Sequence, residues 1–468
     1  WKTGATNDKS SVIGHRCVVE YQCQKCLDKQ KWCSGSTSMN KQFIQASLLG
    51  GIDYAEYRRQ AVLANMNPLS ESQFNNYSSA LWNTCTETFQ TLQSSCVAKH
   101  VQLLHRAKFG GIRQLLPDHI SVELESFVSP TVEIGIKVDF RWSQRGNALN
   151  GTLTVRTFGN VLLGRVNVMR TVSNSDSERR NFVGAAKNME GAGISSFLDE
   201  IVEHNNNNTI KIIITAFVHD QDECTTTLIK RKFPEAKEFY DVGHAAKNLK
   251  KRVTKAVKGL GEKSCAAFLK CIKGFPRIDE RVVALRAYPH HLTGDHRFCF
   301  GGCSSAKFGT VSELLSSLNE EEKNELECVN INEDGDTNQL SDDQPDATQL
   351  PTNGTPFDEC GHSSVEPEKL RLLKKIFDDY AKLAAHFRND INTQVIEAGN
   401  NSMCCLTNKR KFYRESYAGR IDASLVKLEL GESGLALMMM DAGNPISEHS
   451  TMLLQKMNTE KEDDKKRK

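Results

Sequence analysis

The feature that most constrains this chain is a change of hydrophobic period near residue 131. Val132, Ile134, Ile136 and Val138 alternate with other residues, the period-two signature of a half-buried strand. Thr152 to Thr157 and Val161 to Met169 read as two further strands. Asn150-Gly151 and Gly159-Asn160 are the expected hairpin turns. A helix is expected over residues 190–205, with Phe197, Ile201 and Val202 on one face. The run Ile210-Lys211-Ile212-Ile213-Ile214 is apolar nearly throughout, as a strand covered on both faces should be. Helices over 222–232 and 244–258 come next, with a short strand between them.

Three antiparallel strands, helix, strand, helix, short strand, helix is the element order of a ribonuclease-H-like domain. The expected class is therefore α/β, a mixed five-stranded sheet with helices. Six segments are expected. Residues 1–40 are Cys-rich, polar and zinc-knuckle-like; 41–128 form a helical module; 129–258 are the first part of the ribonuclease-H-like core. Residues 259–375 are a helical insertion with a Cys/His site; 376–455 complete the core; 456–468 are a frayed charged tail. Within the insertion, 324–368 is poor in large apolar residues and reads as a disordered acidic loop.

No apolar run reaches the roughly 18 residues that a membrane span needs. Trp1-Lys2-Thr3-Gly4 is neither a secretory leader nor an initiator Met, so a fragment with a module missing upstream is expected. The formal net charge of +2 conceals an asymmetry. Asn324 to Glu368 holds 12 acidic residues and no Lys or Arg, so the remainder carries 60 Lys+Arg against 46 Asp+Glu. A body of net charge +14 suits a polyphosphate partner; the plain alternative is a solvated surface beside an acidic loop. Fifteen Cys without a secretory segment, clustered with His, favour a reducing compartment and structural zinc over disulfides.

Asp139 ends the run Ile134-Gly135-Ile136-Lys137-Val138, and Asp220 comes directly after Thr215-Ala216-Phe217-Val218-His219. Both stand where this element order places the carboxylates of two-metal phosphoryl transfer, the first strand and the end of the fourth. Asp222 is read as the cap of the next helix. A third carboxylate belongs on a late helix, with Glu397, Glu415, Glu429 and Glu432 as candidates. Three carboxylates suffice for two Mg²⁺ or Mn²⁺ ions, which keep several waters.

His291-x4-His296-x2-Cys299-x3-Cys303 has the spacing of a structural zinc site, with His290 as the alternative to His291. Cys265 and Cys271 are further candidates for that site. Cys23-x2-Cys26 is a zinc half-site, with Cys17, Cys33 and His15 as completions. Cys404-Cys405 reads as packing.

Val138-Asp139-Phe140-Arg141-Trp142-Ser143-Gln144-Arg145-Gly146 resembles the first catalytic motif of the Mutator-like DNA transposases, which are of the DDE type. Val218-His219-Asp220-Gln221-Asp222 resembles their second motif. Asp241-Val242-Gly243-His244 matches their Asp/Cys-x-x-His signature, and Ala246-Lys247-Asn248-Leu249 is similar to the residues that these enzymes carry next. Thr407-Asn408-Lys409-Arg410, with Ser416, Tyr417, Arg420 and Ala423, resembles the segment after the catalytic Glu. Counting back from it selects Glu397, with Asn400 or Asn401 as the family's subsequent Asn. The resemblance spans residues 15–430.

It implies a core interrupted by an insertion before its last helix. The 177 residues between Asp220 and Glu397, against 81 between Asp139 and Asp220, agree. It also implies a His/Cys block in the insertion, catalytic parts for Asp241 and His244, and phosphate contacts from Lys247, Lys250, Lys251, Arg252, Lys409 and Arg410. The implied partners are transposon terminal repeats and target DNA. A homo-oligomer on paired ends and a nuclear location are expected. A host-adopted, catalytically inactive transposase acting as a DNA-binding zinc protein is the alternative, and a nuclease on the same fold is a third.

Overall fold

In the computed structural model, strands and helices occupy most of the positions that the hydrophobic periods indicate. The structure describes residues 5–13, 16–23, 29–33, 38–64, 66–113, 131–144, 148–171, 180–292, 294–300, 303, 306–326, 365–388, 391, 393–409, 411, 413 and 416–467. Of 5–32 and 100–113 it describes the backbone. The chain opens with β1 (Ala5–Ile13), β2 (Arg16–Cys23) and β3 (Lys29–Cys33), an antiparallel sheet in the order β1-β2-β3. The knuckle expected there lies outside the described residues: His15 and Cys26 entirely, Cys17 and Cys23 by their side chains.

Three helices come next: α1 (Met39–Leu49), α2 (Tyr54–Leu63) and α3 (Glu71–Arg113). Asp53 caps α2 by accepting from Glu56 N at 2.9 Å. Ser70 and Gln73 cap α3 reciprocally, each side chain accepting from the other's backbone N–H.

The second sheet comprises β4 (Thr131–Trp142), β5 (Asn150–Thr157), β6 (Leu162–Met169), β7 (Lys211–His219) and β8 (Lys237–Tyr240). Its order is β6-β5-β4-β7-β8, with β5 and β6 antiparallel and β7 and β8 parallel. The class is α/β with a mixed five-stranded sheet. Between its strands run α4 (Met189–Asn207) and α5 (Glu223–Lys232), and α6 (Val242–Ala256) comes after β8. Next are α7 (Gly261–Gly274), α8 (Ile278–Leu292), α9 (Val311–Ser317), α10 (Glu320–Leu326) and α11 (Pro367–Lys382). The last helices are α12 (Gln394–Met403), α13 (Tyr417–Leu430), α14 (Ser433–Asp441) and α15 (Glu448–Arg467). No described helix is long and apolar enough to cross a membrane.

The chain forms two compact units. The first holds Trp1–Glu133, Asp139–Ile213 and Gln394–Lys468; the second holds Ile134–Val138 and Ile214–Thr393. Ile44, Tyr57, Phe74, Phe89, Tyr417 and Ile421 centre the core of the first. Leu249, Phe268, Leu285, Phe298, Phe377 and Phe387 centre that of the second.

Three expectations change. Asn150-Gly151 is not a turn: Asn150 opens β5 opposite Met169. A Cβ on Gly151 would lie 2.3 Å from Phe140 Cζ, so close packing, not a positive φ, requires this glycine. Asn160, with φ at 66°, does make the β5–β6 turn. The tail is not frayed over 456–467, because α15 runs through it. Asn458 accepts from Glu432 N, and Lys461 pairs with the Glu432 carboxylate, tying the helix down from outside. Of the acidic stretch, 324–326 end α10 and 367–368 begin α11; 327–364 lie outside the described residues.

Candidate metal centres

In the second unit, His291 lies in the last turn of α8, and His296, Cys299 and Cys303 stand on the loop after it. One ligating atom from each lies within 4.8 Å of all the others. His291 Nδ1 is 3.1 Å from Cys299 Sγ and 3.7 Å from Cys303 Sγ; His296 Nδ1 is 3.4 Å from each sulfur. With Zn–S near 2.3 Å and Zn–N near 2.0–2.1 Å, a tetrahedral ion sets N···S edges of about 3.5 Å. The cluster therefore has the size and donor set of a four-coordinate N₂S₂ metal site. Cys299, His291 and Cys303 are buried.

His290 is not part of it: its Nδ1 faces Asp295 at 3.3 Å and its ring meets Phe298 edge-on. Neighbours in a helix point about 100° apart, so only one of two successive histidines can reach one point. Cys271 is also excluded, since its thiol donates to Arg281 O at 3.7 Å and burial pushes it up to about 12. Cys265 is likewise outside the group.

Asp220 lies in the same unit, one residue beyond β7. Gln221 bends the chain there with φ at 65°. His219 fixes the bend from below: Nδ1 accepts from Asp222 N at 3.2 Å, and Nε2 meets Glu238 Oε1 at 2.9 Å. An Nδ1 that accepts leaves the proton on Nε2, so the imidazole donates to Glu238. Asp222 caps α5, its Oδ2 accepting from Thr225 N and Oγ1, and is thereby committed. Asp220 Oδ2 accepts from His244 Nδ1. Asp220 Oδ1 is buried with no hydrogen-bond partner among the described residues. The hydrogen bond to Asp220 outweighs burial and raises His244 to about 9.

Asp241 is the N-cap of α6, where Oδ1 accepts from His244 N at 2.8 Å. Its Oδ2 accepts from Thr393 N and Oγ1, each at 2.8 Å. Buried and bonded through both oxygens, Asp241 fixes the backbone at His244. His244, Lys247, Lys251 and Lys255 recur at helical spacing along one side of α6, and the lysines are exposed. Lys250 pairs with Glu262 and Arg252 with Asp379, so these two charges are engaged within the fold.

In the first unit, Asp139 and Arg141 alternate along β4 and so share a face. Both grip α12 and its continuation. Asn400 Nδ2 donates to Asp139 Oδ2 at 2.6 Å. The buried Arg141 guanidinium donates to Asn400 O at 3.2 Å and Thr407 O at 2.8 Å, a cation placed on carbonyls at a helix C-terminus. Glu397 is three residues before Asn400, on the same face of α12, and half-buried. Its rivals are committed elsewhere: Glu429 pairs with Arg156, and Glu432 with Lys427 and Lys461. Glu415 and Arg410 lie outside the described residues, while Lys409 is exposed. Cys404 packs beneath Arg141. The Arg141 clamp is absent from the sequence expectations, although its two-residue spacing from Asp139 carries the signal.

No family model matches this chain, and no curated protein or solved structure does either.

Proposed function

We propose that this chain is a DNA transposase of the Mutator-like type, cleaving and joining phosphodiesters at transposon ends with two Mg²⁺ or Mn²⁺ ions. The observation that carries the reading is the sheet order. In chain order, its strands lie third-second-first-fourth-fifth, as in a ribonuclease-H-like core, with Asp139 on the first and Asp220 just after the fourth. Buried carboxylate and amide oxygens without donors among the described residues, Asp220 Oδ1 and Asn400 Oδ1, suit hard divalent cations. The reading assigns Asp139, Asp220 and Glu397 as the ligands.

Bound there, two such ions would supply activation of a water or DNA 3′-hydroxyl and stabilisation of the leaving 3′-oxygen. The chain's own residues do the rest. His244 holds Asp220 Oδ2, and Asp241 holds His244. Lys247, Lys251 and Lys255 offer cations to phosphates along one side of α6. The His291, His296, Cys299 and Cys303 site, with zinc as its ion, staples the loop after α8. Terminal-repeat and target DNA, a homo-oligomer on paired ends and a nuclear location belong to the same reading.

The test is cleavage of the element's own terminal repeats. Asp139→Asn and Asp220→Asn should each abolish Mg²⁺- or Mn²⁺-dependent cleavage while DNA binding survives. Undiminished cleavage by both variants overturns the reading. A wild-type chain that binds these ends, holds zinc and cuts nothing is the inactive, host-adopted alternative.

A further inference from the structure

Asn400 is 8% exposed and held from two directions within the first unit. Its side-chain nitrogen donates to Asp139 Oδ2, and its backbone carbonyl receives Arg141 Nε. These contacts orient the amide. Turning it over would set an oxygen against the Asp139 carboxylate. In the observed orientation Oδ1 is buried and has no hydrogen-bond partner among the described residues. A buried acceptor left unsatisfied costs roughly 1–3 kcal/mol, so a fold that fixes this amide needs something to meet that oxygen. Asp139 is hydrogen-bonded to the same amide, and Glu397 lies one turn earlier on the same face of α12. A divalent cation that takes oxygen ligands would meet this oxygen and use the carboxylates of Asp139 and Glu397 as well.

We infer that Asn400 Oδ1 is a ligand of a divalent cation, completing with Asp139 and Glu397 a three-oxygen site inside the first unit. The inference rests on the proposed function for the presence of an ion at Asp139, and it adds a residue with a different part. Asn400 both orients Asp139 through nitrogen and binds the ion through oxygen. A residue that only oriented Asp139 would use its nitrogen alone. Replacing the amide by a carboxylate separates these roles, because it removes the donor but adds a stronger ligand.

The experiment is Mn²⁺ binding to the full chain, measured by titration calorimetry and electron paramagnetic resonance without DNA, on wild type, Asp139→Asn, Asn400→Ala and Asn400→Asp. Far-UV circular dichroism confirms folding. Asn400→Ala should weaken Mn²⁺ binding on the order of tenfold. Asn400→Asp should bind at least as tightly as wild type, melt at lower temperature without the ion, and recover that loss when Mn²⁺ is added. If Asn400→Asp weakens binding as much as Asn400→Ala, Asn400 merely positions Asp139 and the inference fails. It also fails if Asn400→Ala binds like wild type while Asp139→Asn does not, a result that leaves the proposed function standing. Wild type that binds no Mn²⁺ overturns both.

Discussion

Thr393 donates both its backbone N–H and its hydroxyl to one oxygen of Asp241, each at 2.8 Å, while the other oxygen caps α6 at His244. A single buried carboxylate thus joins the start of one helix to the residue before α12. Asp241→Ala leaves three donors without an acceptor and should destabilise the protein by about 3 kcal/mol, the sum of a lost cap and lost charge-assisted bonds. Thr393→Val, which removes only the hydroxyl, should cost about 1 kcal/mol. Urea unfolding midpoints check both values.

The His/Cys cluster yields a metal-count prediction. Cys299→Ser or His291→Asn should lower bound zinc by one ion per chain, measured by elemental analysis of purified protein. Replacement of zinc by Co²⁺ in wild type should give the visible absorption of a tetrahedral, thiolate-ligated ion. Cys265→Ser, outside the cluster, should change neither readout.

His244 supplies a pH dependence. Its folded value, raised to about 9 by Asp220, stands above its ordinary 6.5. The protonated form is therefore the one that the fold favours. Its contribution is complete below pH 6.5 and disappears as pH rises through about 9. The melting-temperature difference between wild type and His244→Asn, without added divalent cation, should be largest near pH 6 and vanish near pH 10. In Asp220→Asn, nuclear magnetic resonance titration of His244 should move down toward its ordinary range.

Gly419 lies in α13, where a Cβ would sit 2.3 Å from Trp82 O and 2.5 Å from Trp82 Cβ on α3. Alanine is intrinsically better than glycine in a helix by about 1 kcal/mol. Here the obstruction includes backbone, which cannot rotate aside, and overpacking costs about 1–3 kcal/mol. Gly419→Ala should therefore destabilise the protein by about 2 kcal/mol, read from thermal or urea unfolding.

Lys251 and Lys255 are exposed, whereas Lys250 is paired with Glu262. If the first two contact phosphates, Lys251→Ala with Lys255→Ala should reduce the slope of log affinity against log salt for duplex DNA by about 2. Lys250→Ala should leave that slope nearly unchanged. Equal effects would assign the lysines a solvated role.

Much of the framework was legible locally. Period-two alternation located β4, and a continuous apolar run located β7, because strand burial is written residue by residue along the chain. The cap assigned to Asp222 was readable for the same reason. Among four candidate glutamates the motif resemblance favoured Glu397, but that Asn400, three residues later on α12, donates to Asp139 was not legible in the sequence.

Local pattern carries the periods, the element order and the residue types at metal-ligand spacing. Convergence came from packing. It selected His291 over His290, closed His296, Cys299 and Cys303 around one point, and tied Asp241 to Thr393 as well as to the start of α6. It also kept the charged C-terminal helix in place through Glu432, far from it in sequence. Periodicity records which face of an element is buried. The direction of a side chain, and the distant group that meets it, depend on how the elements pack, which no local pattern encodes.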